Sequence, residues 1–435
     1  MAETTTPPSG AIAKKLPMMV LNRQPKDETN DPEITSRLTD WFVEAREYID
    51  TYTPADDSEL ADPDTSLSKT QLLSLAIGFT GCDTAEDRAQ RTYTLVYTDP
   101  DLGKHNFQTI CIPYHAPSSP LLFERDPDGA DTFARRIVWK PTGEVLTRPR
   151  LHAGIFAASN HYYSRVGPDL AELPTAAIVS PYSTCAGGCL GCNRNEVGSF
   201  TPPPRDYIAQ HVAELAADYD ARGWDRAELV SVNITTGCQP SEERELSMML
   251  ALIAEYRRQG FANAAFFPFT YAIDTQGAME QLRAAGCLGF IGTVECFNDA
   301  ERLRQWGRAK GSITFEQHLA KYQRAHAAGF DIVETDYVLG ADSHTEMMKG
   351  IAELSAQQVT VVPNIKRNYS PAQLNSNHPD IWSMPGQYIA DGFEACLETY
   401  NHGTIKRRAA RRSVEYLHRQ GQRSVTLRDL PIRHT

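Results

Sequence analysis

Long hydrophobic runs are missing from this 435-residue sequence. No stretch approaches 18 uninterrupted apolar residues, and the opening MAETTTPPSGAIAKKLPMM has no apolar segment of signal-peptide length, so neither a membrane span nor an export signal is expected. A disulfide pattern is missing as well. Nine cysteines are an odd number, and six of them (Cys82, Cys111, Cys238, Cys287, Cys296, Cys396) stand singly, unlike the framework of a secreted domain. A reducing, cytoplasmic setting is therefore expected. Basic charge is in deficit: 43 Lys and Arg against 55 Asp and Glu leave −12, which argues against a nucleic acid or an anionic membrane as partner of the whole surface. No internal repeat or low-complexity tract is evident. What is present, 41% hydrophobic residues over this length, is enough for two to three cored domains.

The texture changes along the chain. Residues 1–30, rich in Thr, Pro, Lys and Asp without periodicity, are expected to form a mobile arm. From Pro32, the spacing of Leu38, Trp41, Phe42, Ala45, Tyr48 and Ile49 predicts a helix, followed by strands at Tyr93–Tyr97, Phe107–Tyr114, Phe133–Trp139 and Val145–Arg148. This gives an antiparallel α+β accessory domain over 31–170. Over 171–375, β-rich runs at Ala176–Val179, Leu229–Ile234, Ala265–Phe269, Phe290–Val294, Ile332–Leu339 and Val359–Val362 alternate with helical patterns. Six β-then-α units predict an α/β fold with a parallel sheet, either a partial (βα)6 TIM-like barrel or a doubly wound open sheet. Residues 376–435 read as a C-terminal helical extension. Its last part is basic: nine Lys and Arg against two acids over 402–435, on a body carrying 34 against 53. Ile405, Ala409, Val414, Tyr416 and Leu417 are interleaved with the bases at partly helical spacing, so the tail is expected to dock on the acidic body rather than on RNA.

The remaining three cysteines stand together in Ser183-Thr184-Cys185-Ala186-Gly187-Gly188-Cys189-Leu190-Gly191-Cys192-Asn193, a C-x3-C-x2-C segment directly after the first strand of the alternation. In a β/α barrel that position is the C-terminal end of a strand, where active sites are built. Three inert core cysteines would need a hydrophobic pattern that is absent. Structural zinc wants four ligands, and no fourth Cys or His follows at finger spacing. Thiolates from one short, glycine-rich segment suit an iron–sulfur cluster, whose fourth iron would stay open. A non-catalytic iron–sulfur or zinc module remains the rival of another class.

This segment in this position resembles the signature of the radical S-adenosylmethionine (radical SAM) superfamily, and the 175–375 region resembles its biotin synthase, hydrogenase-maturase and methylornithine synthase branch. The resemblance implies a [4Fe-4S] cluster on Cys185, Cys189 and Cys192 that binds S-adenosyl-L-methionine. It implies reductive cleavage to a 5′-deoxyadenosyl radical, which abstracts hydrogen from substrate. It also implies a one-electron donor such as flavodoxin or ferredoxin. Gly191 stands where the family usually has an aromatic residue.

The resemblance carries to further positions. Asn233-Ile234-Thr235-Thr236-Gly237-Cys238-Gln239-Pro240 stands where the family has a Gly-Gly-Glu-Pro turn, making Thr236 and Gly237 cofactor-binding candidates; an ordinary turn capped by Ser241 is the alternative. Glu295, at the end of the fourth strand, resembles the polar residue that holds the ribose or amino group, with a surface ion pair as alternative. Arg308, among Arg304, Arg308 and Lys310, is the candidate for the methionine carboxylate. Gly340, in Asp336-Tyr337-Val338-Leu339-Gly340, resembles part of a G-x-I-x-G-x-x-E element, although Ser343 and Glu346 also form a helix-capping box. Val362, before Pro363-Asn364, resembles the adenine-contacting edge. Asn233, Tyr271, Glu334 and Asp336 are substrate-facing candidates by alternation. No catalytic residue is assigned. The absence of a second cysteine cluster narrows the expectation to a small metabolite or natural-product intermediate as substrate, with RNA or peptide modification as the alternative.

Overall fold

The computed structural model describes residues 31–52, 69–84, 92–98, 107–113, 118–129, 134–151, 155–157, 161–164, 176–179, 205–229, 231–366 and 374–402. The arm, the cysteine segment and the basic tail lie outside them.

The N-terminal part contains α1 (Pro32–Thr51), α2 (Lys69–Thr80) and seven strands: β1 (Asp83–Thr84), β2 (Thr92–Thr98), β3 (Phe107–Pro113), β4 (Leu121–Arg125), β5 (Arg135–Trp139), β6 (Glu144–Thr147) and β7 (Arg150–Leu151). They form a four-stranded sheet in the order β1-β4-β5-β6 and a three-stranded one in the order β3-β2-β7. Helix α1 starts where the sequence places it: the Asp31 side chain accepts the Glu33 and Ile34 amides, and Pro32 occupies the first turn, where a missing N–H costs nothing. Its buried stripe of Leu38, Trp41, Phe42, Ala45 and Ile49 faces inward. Trp41 stacks on Phe79 with 4.3 Å between centroids, and Phe42 on Trp139 at 5.2 Å.

The second part begins with β8 (Ile155–Ala157) and β9 (His161–Ser164) and continues through β10 (Ala176–Val179), α3 (Arg205–Arg222), β11 (Ser231–Thr235), α4 (Glu242–Arg258), β12 (Ala265–Phe269), α5 (Gln276–Ala284), β13 (Gly289–Glu295), α6 (Asp299–Gly311), α7 (Phe315–Ala327), β14 (Ile332–Leu339), α8 (His344–Ala356), β15 (Thr360–Ile365), α9 (Pro379–Ser383) and α10 (Pro385–His402). An eight-stranded sheet runs β15-β14-β13-β12-β11-β10-β9-β8. Its strands β10 to β15 are parallel, and the β8–β9 hairpin joins antiparallel beside β10. The fold class is therefore α/β. A doubly wound sheet reverses its strand order partway; this one runs in sequence order from β10 to β15, so that alternative is excluded.

Strand alternation divides the parallel sheet into two faces. Val232, Ile234, Phe266, Phe290, Val294, Val333, Tyr337 and Val361 belong to one continuous core with the helices and with the N-terminal aromatics. That core ties the two parts together: α10 packs on α1 and α2, and the Trp41 indole N–H donates to the Ile381 carbonyl at 2.7 Å. On the other face, Phe267, Ile291 and Ile332 form a separate small apolar cluster near the strand starts. Beyond it, towards the strand ends, that inner face turns polar.

Helix α6 spans a segment that hydrophobic spacing leaves as a polar stretch. Its Asn298 cap accepts the Glu301 amide, and its inward positions are Arg302, Gln305 and Trp306. The buried stripe is thus mostly polar.

Candidate functional site

The C-terminal ends of β11 to β15 bring together residues that the sequence scatters over more than 130 positions. The cysteine segment follows β10 directly in sequence, but Cys185, Cys189 and Cys192 lie outside the described residues. Among the described residues no group of three His, Cys, Asp or Glu side chains could hold a metal ion.

After β11 the chain turns sharply. Gly237 has φ +67°, which a side-chain-bearing residue adopts only at a cost, so glycine is required here by the backbone. The fully buried Thr236 hydroxyl donates to the Glu245 carboxylate, and the Gln239 side-chain amide donates to the Thr236 carbonyl. Glu245, on α4, also accepts the Ala272 amide at 3.0 Å; burial pushes its pKa up against those bonds. Lys321 on α7 donates to the Tyr271 carbonyl at 2.8 Å, and burial brings its pKa down to about 8, opposed by Glu245. The turn is thereby braced from behind. Gln239, which sequence reasoning passed over, stands in the position of the glutamate in the Gly-Gly-Glu-Pro turn. It is buried, and its Oε1 has no hydrogen-bond partner among the described residues. An orphaned acceptor there fits the amino group of the cofactor that the resemblance implies.

Glu295 ends β13 with φ +56°, rare for a residue with a β-carbon, beside a register shift against β14. Its carboxylate pairs with Lys310, and the Lys310 carbonyl accepts the Tyr271 hydroxyl at 2.8 Å. Both partners of the ion pair are mostly buried, so this is a mouth-lining pair rather than a solvated surface one. Arg308 is exposed on α6, one residue past a kink at Gly307, while Arg304 pairs with Glu301. Of the three cations, Lys310 is the one that reaches Glu295.

Gly340, after β14, has φ +97°, and a β-carbon there would lie 2.8 Å from Asn377 Oδ1; its carbonyl accepts the His378 amide at 2.8 Å. This glycine lets the 374–378 segment approach. The Ser343–Glu346 capping box is present in both directions. Val362 is buried on β15, in register with Asp336.

Two groups at the strand ends escaped sequence reasoning. Lys366, one residue past β15 and 1% exposed, donates to Gln305 Oε1 at 2.7 Å and Ser376 Oγ at 2.6 Å, and burial lowers its pKa to about 7. Asp342 accepts the Phe297 and Asn298 amides at 2.9 and 2.8 Å and the Cys296 thiol at 3.1 Å, stapling the β13 and β14 exits together. Burial and Asp342 push the Cys296 thiol up, so it stays protonated and packs rather than reacts. The available signal for both was position, immediately beyond a strand of the parallel sheet.

The inner face between these exits carries Asn233 and Thr235 on β11, Thr293 on β13, Glu334 and Asp336 on β14, and Asn364 on β15. Burial raises the Asp336 pKa well above the usual carboxylate range, with Glu295 and Glu334 adding to it and Lys310 opposing. Sheet order, braced turn, paired Glu295 and buried acids form a polar mouth above an apolar floor. Such a mouth can orient a small polar molecule away from water.

No model of a known protein family and no curated protein matches the chain. Among solved structures, it is similar to HydG, a maturase of the [FeFe]-hydrogenase, at 14% identity over 51% of this chain and 49% of that one, with a TM-score of 0.37. It is similar to HydG from Carboxydothermus hydrogenoformans at 13% identity, covering 53% and 56%, TM-score 0.39. It is also similar to the coproporphyrinogen III oxidase HemN from Escherichia coli, described as a radical SAM enzyme, at 13% identity, covering 52% and 51%, TM-score 0.36. The chain spans about half the length of these structures.

Proposed function

We propose that this chain is a radical SAM enzyme, with a [4Fe-4S] cluster on Cys185, Cys189 and Cys192, that acts on a small metabolite or natural-product intermediate. One observation carries this reading: the C-x3-C-x2-C segment directly follows the first of six parallel strands that pair in sequence order. Right-handed crossovers in unbroken order put every helix on one face, which favours a sheet curling into a partial barrel with the other face as its cavity. Residues 31–170 serve in this proposal as an accessory domain whose last strands, β8 and β9, extend the parallel sheet, and 376–435 as an extension; among the described residues α1 and α2 pack on α10, and α10 packs on α8 and β15.

When bound, the cluster and S-adenosylmethionine would supply radical hydrogen-abstraction chemistry. The chain's own residues hold and orient. Gln239 Oε1 would accept from the amino group of S-adenosylmethionine, with the Thr236–Glu245 bond keeping the turn at Gly237 in the shape that presents it. Glu295, fixed by Lys310, accepts from hydroxyls. Gly340 admits close approach, and Val362 gives an apolar wall beside it. Phe267, Ile291 and Ile332 close the floor to water, which would quench a reactive intermediate. A flavodoxin or ferredoxin class donor supplies the electron.

Anaerobic reconstitution with iron and sulfide tests the proposal. The expected result is a cluster whose spectrum changes on adding S-adenosylmethionine, with 5′-deoxyadenosine formed under dithionite. Cys185→Ala, Cys189→Ala and Cys192→Ala should each abolish both. Tight zinc binding without iron uptake would overturn it.

A further inference from the structure

On the inner face, Thr293 of β13 and Asp336 of β14 are register partners on adjacent parallel strands, so both side chains leave the sheet on the same side. Adjacent strands lie about 4.8 Å apart, which places the two side chains within reach of one small group. Thr293 is 3% exposed and Asp336 8%, yet Thr293 Oγ1 and Asp336 Oδ1 have no hydrogen-bond partner among the described residues. Glu334, two residues before Asp336 on the same face, is 4% exposed. The cation at this level, Lys310, is paired with Glu295.

We propose that this patch receives a primary ammonium group of the substrate, held by Asp336 and Thr293 with Glu334 beside them; the inference deepens the function proposed above and rests on it for the identity of the ligand as substrate. An ammonium carries three donors and no acceptor, which matches two orphaned acceptors and an adjacent carboxylate. Two carboxylates two residues apart, taken out of water, repel each other, and a cation between them offsets that cost. Burial holds the Asp336 carboxyl well above the usual carboxylate range despite Lys310 and a hydrogen bond from Asn364; an ammonium would favour its ionised form, which a neutral hydroxyl compound would not. A divalent metal would want a convergent set of three ligands, which is absent among the described residues. The patch sits between the apolar cluster of Phe267, Ile291 and Ile332 and the strand ends, so a short alkyl chain attached to the nitrogen would lie against apolar side chains.

The test uses the full chain, n-butylamine as the probe and n-butanol as its neutral counterpart, at equal ionic strength set with sodium chloride. Melting is followed for the wild type, Asp336→Asn, Thr293→Val and Cys189→Ala. Butylamine at about ten times its Kd should raise the wild-type Tm by about 2 °C or more, while butanol should not. Asp336→Asn, which keeps the side chain's shape but cannot ionise and should fold at least as well, should lose the shift. Thr293→Val should retain less than half of it. Cys189→Ala, unable to hold a cluster, should keep the full shift. No shift with butylamine, an equal shift with butanol, or a full shift in Asp336→Asn would overturn the ammonium site. If the shift behaves as expected but reconstitution yields no iron uptake, the radical chemistry falls and the amine site stands.

Discussion

The two faces of β13 and β14 are built from alternate residues of the same strands, and both are buried, yet their polar atoms meet different fates. Facing the helices, the Thr335 hydroxyl accepts the Val294 amide at 2.9 Å and the Tyr322 hydroxyl at 2.6 Å, and its neighbours Val333 and Tyr337 belong to the main core. Facing the other way, Thr293 and Asp336 are equally dry but carry atoms without partners. A folded chain rarely leaves buried polar atoms unpaired, because each costs about 1–3 kcal/mol. Burial does not separate the two faces, and neither does an unpaired atom alone, since the Tyr337 hydroxyl and both His318 ring nitrogens on the helix side also lack a partner among the described residues; the inner face differs in having a threonine and a carboxylate with unmet capacity side by side on adjacent strands.

The comparison can be broken by matched substitutions. Thr335→Val has the largest expected effect, a loss of about 1–3 kcal/mol in urea unfolding, since Tyr322 and Val294 would lose their acceptor. Equal stability to wild type would mean that the helix face is not the satisfied one. Lys366→Met addresses the strand ends. With its pKa at about 7 when folded and in the ordinary lysine range when unfolded, Lys366 binds fewer protons in the native state across that interval. Wild-type stability should thus rise with pH from about 7 upward, by at most about 1.4 kcal/mol per unit from this group. Lys321, lowered to about 8, adds a similar rise in both proteins, so the measured quantity is the difference between wild type and Lys366→Met at about pH 7.5 and 9.5. Identical slopes would remove Lys366 from the buried set. Thr293→Val should have the smallest effect, within about 0.5 kcal/mol of wild type or slightly stabilising, because a hydroxyl without a partner is replaced by a methyl of similar volume. A loss as large as that of Thr335→Val would erase the distinction between the faces.

Much of the architecture was legible from spacing. The strands Ala265–Phe269 and Ile332–Leu339 appear with the bounds that their aromatic and β-branched runs predict, because their apolar faces meet an apolar core. Helix α6 was not legible for the opposite reason. Its inward residues are Arg302, Gln305 and Trp306, and Arg302 is satisfied by carbonyls, including those of Cys296 and Ile313 at 2.8 Å each. A hydrophobic period cannot reveal a helix buried through its polar side. At the mouth, alternation identified Glu334 and Asp336, and strand-end position identified Glu295. The partner of Glu295 was not legible, since Arg304, Arg308 and Lys310 are equivalent in sequence and differ only in where the kink at Gly307 sends them. Gln239 was hidden by its chemistry, an amide where a carboxylate was sought.

By itself the sequence determined the alternation of strands and helices and the cysteine spacing, because both are local: they follow from side-chain periodicity and from the reach of one short segment. Strand order, the pairing of Glu295 with Lys310, and the contrast between a satisfied Thr335 and an orphaned Thr293 were decided only in the tertiary structure. An unpaired buried atom is defined by which groups fail to reach it, and that depends on every element packed around the site.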